Sequence, residues 1–126
     1  SSAASDVYKR QINLEVLSEE ETEYSDKELG FEQVKGNLRK VFLKAQKNIV
    51  YAESFFSSKV YKKFPKFKRL ANETLGKYLF NNPLISKKET YVAKYSLGNN
   101  KYLGRKCIYD LDGESFFVVE VFLFHE

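Results

Sequence analysis

The sequence predicts a single α+β domain built on an antiparallel sheet of about six strands, with helix confined to the middle of the chain. Three observations predict it. Apolar and polar residues alternate in short runs, which is the period of a half-buried strand. Asn99-Asn100 and Asp110-Leu-Asp-Gly113 separate the last three runs as tight turns. The one stretch of helical character, residues 70–81, stands between a basic segment and the stop signal Pro83.

Residues 1–11, Ser-Ser-Ala-Ala-Ser-Asp-Val-Tyr-Lys-Arg-Gln, differ in character from the rest. Codon by codon they back-translate into a transposon adaptor used for sequencing libraries, so they are set aside as non-native. Residues 12–126 are then expected to form the domain, truncated at its N-terminus. In residues 12–17, Ile12, Leu14 and Val16 alternate with Asn13 and Glu15, predicting a strand. Residues 18–26 carry Glu19, Glu20, Glu21 and Glu23 and read as a solvated loop or hairpin end. Residues 38–45 alternate again: Arg39, Val41 and Leu43 share one face, and Lys40, Phe42 and Lys44 the other. The lysines mark their face as wet, so Arg39 should point inward. Gln46-Lys-Asn48 is a turn, and residues 49–56 form the return strand. Residues 57–68 are lysine-rich, and Pro65 prevents a long helix there. A helix over residues 70–81 is interrupted or restarted near Leu75-Gly76. Strands at 89–96, 102–111 and 115–124 complete the chain.

Composition narrows the function. With 126 residues and 43% hydrophobic content, the chain can bury one modest core. The net charge of +4 attracts anions but falls short of a dedicated nucleic-acid binder. The abundance of Lys, Asn, Tyr, Phe and Ile matches an A/T-biased coding sequence, which reduces the weight of the lysine count. The single Cys107 forms no internal disulfide and fits a reducing, cytoplasmic compartment. No apolar run is long enough for a transmembrane helix.

The C-terminal run Ser115-Phe-Phe-Val-Val-Glu-Val-Phe-Leu-Phe124 carries one carboxylate, Glu120. A carboxylate in apolar surroundings must be paired, protonated or turned to water. Arg39 is the best-placed partner. An acid and a base in one apolar interior can make a pocket for a small, anionic, hydroxylated molecule. By pattern alone, Glu120 is as readily a structural ion-pair member as a site residue. Arg105 reads equally as an anion contact or a sheet-edge salt bridge. Cys107 reads as a small buried residue, and His125 as solvated. The aromatics Tyr61, Phe64 and Phe67, set among lysines, keep direct nucleic-acid binding as a rival reading. Its mark would be affinity that falls steeply with salt.

Two blocks resemble the chorismate lyase family: Leu75-Gly-Lys-Tyr-Leu-Phe80, and Leu103-Gly-Arg-Lys-Cys107 followed by the Asp112-Gly113 turn and Val118-Val-Glu-Val-Phe-Leu123. Upstream, Leu38-Arg39 with Val41 and Leu43 resembles the family's arginine strand, and Ala52 falls where its next strand has alanine. The resemblance spans residues 12–124 and rests on order and spacing. It departs at Leu103, where the family has an aromatic residue, and at Glu53-Ser54, where many members have glycine-arginine. It implies a cofactor-free, monomeric enzyme that eliminates pyruvate from chorismate to give 4-hydroxybenzoate, a ubiquinone precursor; the 3-hydroxy isomer stays open. It also implies that Arg39 grips the ring carboxylate, Glu120 bonds the ring hydroxyl, and the backbone at Leu75 touches the ligand. The same fold implies an alternative: the effector-binding domain of a transcription regulator.

Overall fold

The computed structural model describes residues 13–26, 31–68, 75, 79 and 82–125. Its sheet has six strands: β1 (Asn13–Asp26), β2 (Phe31–Ala45), β3 (Asn48–Ser57), β4 (Ile85–Leu97), β5 (Asn100–Leu111) and β6 (Glu114–Phe122). All pairings are antiparallel, in the order β1-β2-β3-β6-β5-β4. Two three-stranded meanders therefore meet along β3 and β6.

The sheet matches the expectation, and the helical part matches only loosely. The described helical segments are α1 (Ser58–Lys63) and a 3-10 turn at Pro65–Lys68, and Leu79 is also helical. Ser57 caps α1, its Oγ accepting from the Val60 N–H at 3.3 Å. Pro65 disfavours helical backbone at Phe64, so α1 stops there. The expected helix at 70–81 lies outside the described residues except for Leu75 and Leu79. Between those two, the Leu79 N–H donates to the Leu75 carbonyl at 3.1 Å, the helical spacing. No helix among the described residues is long and apolar enough to cross a membrane.

The turns carry the backbone signature their residues allow. Asp112 and Gly113 both have positive φ, 49° and 88°, as a two-residue hairpin matched to strand twist requires. The β4–β5 turn falls at Gly98-Asn99, one residue before the expected Asn99-Asn100. Gly98 takes φ of +61° there, a conformation glycine adopts without steric cost.

Residues 18–26 correct the loop expectation: they form the second half of β1. Each acid that faces the covered side of the sheet lies opposite a cation or an amide of β2. Glu19 lies opposite Arg39, Glu21 opposite Asn37 and Glu23 opposite Lys35. At the start of the strand Glu15 pairs with Lys44 at 3.1 Å. Cross-strand complementarity thus stabilises pairing that low hydrophobicity disfavours, and charge on an edge strand opposes further pairing with other chains.

One face of the sheet carries two apolar clusters. The first joins Phe56, Phe116, Val118 and Cys107 to Val60 and Phe67 of the connecting segment, and to Leu75. The second joins Val41, Leu43, Val50, Ala52 and Phe122. The opposite face buries Phe55 and Phe117 completely. Tyr24 of β1 packs on both rings, with centroids 5.1 and 5.0 Å away. Asp26 at the end of β1 pairs with Lys106 of β5. The first and fifth strands of the order meet only because the β1–β2 hairpin curls across this face. Gly104 permits a close approach there: a Cβ would run into the Tyr95 ring and the Glu120 carbonyl.

Candidate functional site

Between the two apolar clusters, the same face carries polar side chains. Arg39 points inward, as its strand period predicts. It is 2% exposed and shares its face with Val41 and Leu43, while Lys40, Phe42 and Lys44 are half-buried on the other. Glu120 is 5% exposed. Arg39 lies opposite Ser54 of β3, and Glu120 lies opposite Ala52 on the other side of that strand. Ser54 and Ala52 are two residues apart and so face the same way. Arg39 and Glu120 therefore rise from one face, two strands apart and offset by two residues. Strand spacing and rise place their backbones about 12 Å apart. Ala52, Ser54 and Val118 form a floor of short side chains between them. Leu75, 9% exposed, belongs to the cluster that includes Val118 and Cys107. Arg39 and Glu120 are thus both on the covered face, and Leu75 packs against it.

The electrostatics correct one expectation. The ion-pair partner of Glu120 is Arg105, not Arg39: Arg105 Nε donates to Glu120 Oε1 at 2.8 Å. The reason is register. Arg105 faces Glu120 directly across the β5–β6 ladder, whereas Arg39 is separated from it by β3. The Arg105 side chain is 32% exposed, that of Glu120 only 6%, and the guanidinium packs over the Phe122 ring, 5.5 Å from its centroid. Arg39 instead has Glu19 as its cross-strand neighbour. Glu19 also accepts from the buried Asn37 Nδ2 at 3.0 Å. Burial pulls Arg39 below the ordinary arginine range, and the Glu19 charge opposes that pull; the guanidinium is nonetheless a cation at neutral pH.

Burial pushes the Glu120 carboxyl up to about 7. Donation from Arg105 favours the ionised form and works against burial. A carboxyl raised from its ordinary 4.5 holds its proton longer in the folded state than in the unfolded state. Folding stability should therefore fall as pH rises from about 4.5 to about 7. The upper limit of that fall is about 3 kcal/mol, because Arg105 offsets part of the cost. Urea denaturation at pH 5 and pH 8 measures it, and Glu120→Gln should flatten the difference. An equal difference in wild type and variant would assign the slope to other groups.

The other singled-out residues have plainer surroundings. Cys107 is buried at 1% exposure beside Thr90, with Oγ1 to Sγ at 3.7 Å. His125 is exposed and stacks on Tyr102 at 5.1 Å. Lys59, Lys62, Lys63 and Lys66 are exposed. The aromatics among them turn toward the core: Phe67 is 3% exposed, and Tyr61 and Phe64 pack against the same cluster.

Similarity to known proteins points the same way as the geometry. The family model described as chorismate lyase matches residues 4–126. A probable chorismate pyruvate-lyase of Pseudoalteromonas translucida (strain TAC 125) is 28% identical over 129 aligned residues, covering 89% of this chain and 72% of the relative.

Proposed function

The chain belongs to the chorismate lyase family, and from that premise we propose that it eliminates pyruvate from chorismate to give 4-hydroxybenzoate, a ubiquinone precursor, as a cytoplasmic enzyme that needs no cofactor. In that reaction the ether C–O bond to the ring breaks, and the ring carbon bearing the hydroxyl gives up its hydrogen. The enolpyruvyl group takes up that hydrogen and leaves as pyruvate. The ring becomes aromatic, which supplies the thermodynamic drive. What remains for the protein is to orient the substrate and stabilise charge.

The observation that carries the reading is the placement of Arg39 and Glu120, two buried ionisable groups on one sheet face with a floor of short side chains between. Arg39 binds the ring carboxylate through the planar fork of its guanidinium. Glu120, as carboxylate, accepts a hydrogen bond from the ring hydroxyl. Leu75 contributes through its backbone; its carbonyl is engaged by Leu79, so the N–H is the group assigned to the ligand. An arginine and a carboxylate at opposite ends fix which way round a ring with a carboxylate at one end and a hydroxyl at the other can sit.

The test is incubation with chorismate, with pyruvate followed by a coupled assay and the aromatic product separated by chromatography. The expected result is equal release of pyruvate and 4-hydroxybenzoate. No pyruvate above the uncatalysed rate, or the 3-hydroxy isomer as product, would overturn the assignment.

A further inference from the structure

We propose that Arg105 is a positioning residue for this reaction: its Nε–H holds the Glu120 carboxylate in the orientation and ionised state in which that group receives the substrate's hydroxyl. The inference rests on the activity proposed above. Its basis is geometric. A carboxylate with free rotation about its last torsion presents its oxygens in many directions, and each orientation lost on binding costs entropy. Here one oxygen, Oε1, is already committed to Arg105 at 2.8 Å. That fixes the carboxyl plane and leaves the second oxygen to face a ligand.

Arg105 is itself held at two points. Backbone pairing sets it opposite Glu120, and the Phe122 ring two residues further along β6 supports the guanidinium from below at 5.5 Å. A surface pair without such support would contribute little. This pair differs in that the acid is buried while the base reaches water, at 6% and 32% exposure. The buried charge is thereby offset by a guanidinium that keeps much of its own hydration.

The groups that face Glu120 are few. On β3 its neighbour is Ala52, with Ser54 beyond. On the same face of β5 are Arg105, the thiol of Cys107 and, further along, the phenol of Tyr109. On β2 the charged residues on this face are Arg39, at the diagonal across β3, and Lys35, four residues away along the strand. The described residues of the covering segment nearest this face, Leu75 and Leu79, do not titrate. Arg105 is thus the cation in direct contact with Glu120 among the described residues.

The experiment compares wild type with Arg105→Gln and Arg105→Lys. The titration of Glu120 is followed by NMR of protein carrying carbon-13 in the glutamate carboxyls, assigned by its loss in Glu120→Gln. Removing the guanidinium should raise the Glu120 midpoint by about one to two pH units. Arg105→Lys should restore part of that shift. In the pyruvate-release assay, Arg105→Gln should lower kcat by about tenfold or more with KM changed less than about threefold, and the rising limb of the pH–rate profile should move to higher pH. Arg105→Lys should recover the pH limb better than kcat, because an ammonium lacks the planar fork. An unmoved midpoint in folded Arg105→Gln would overturn the inference, whatever the activity. If wild type released no pyruvate while the midpoint moved as expected, the coupling of Arg105 to Glu120 would stand and the assigned reaction would fall.

Discussion

Arg39→Ala should lower kcat/KM for chorismate by about 10²- to 10⁴-fold. The magnitude follows from two charge-assisted hydrogen bonds between the guanidinium fork and a carboxylate, each contributing about 1.5–3 kcal/mol, with tenfold in rate per about 1.4 kcal/mol. The site raises these values, because Arg39 is 2% exposed and water competes poorly for the ligand there. The same burial means that truncation also disturbs packing and removes the cation facing Glu19. Circular dichroism and a urea midpoint must therefore accompany the kinetics. Arg39→Lys separates the two effects: it keeps the charge beside Glu19 but not the bidentate geometry, so it should fold better than the alanine variant while remaining well below wild-type activity. A folded Arg39→Ala enzyme with wild-type kcat/KM would remove Arg39 from the site.

The second large effect is on the chemical step. Glu120→Gln should lower kcat by about 10²-fold or more, the lower range for loss of one acid–base or electrostatic group. The amide is close to the carboxyl in shape, and its oxygen can still accept from Arg105, so the fold should persist. Binding of 4-hydroxybenzoate should stay detectable by calorimetry, since Arg39 at the other end of the site is untouched. The pH dependence of the wild type fixes the role of Glu120. With burial pushing its carboxyl up to about 7, a carboxylate acceptor gives activity that rises with pH through that region. A general acid would give activity that falls. Unchanged kcat in the glutamine variant would exclude Glu120 from catalysis.

Much of this arrangement can be read along the chain. The alternation in residues 38–45 sends Arg39 inward with Val41 and Leu43, and the structure has all three at 5% exposure or less. Turn chemistry also carries register. A two-residue hairpin at Asp112-Gly113 pairs Leu111 with Glu114, and stepping outward pairs Arg105 with Glu120. That count was available from the sequence and identifies the true partner of Glu120. Reasoning from charge and hydrophobicity alone chose Arg39 instead. The acidic run of β1 misled for a related reason: its character as a strand depends on the basic and amide residues facing it in β2, and a single strand does not display its partner.

The sequence by itself therefore determined the alternating core strands, the Asp112-Gly113 hairpin with its register, and the inward direction of Arg39. These depend on side-chain period and turn geometry, which act over a few residues. Only the tertiary structure decided that β3 pairs with β6 with Ala52 opposite Glu120. No turn connects those strands, so no short-range rule fixes their register; it is set by burial of both apolar clusters at once. That one non-local pairing brings Arg39 and Glu120 onto a common face, and a slip of one residue would have sent them to opposite sides of the sheet.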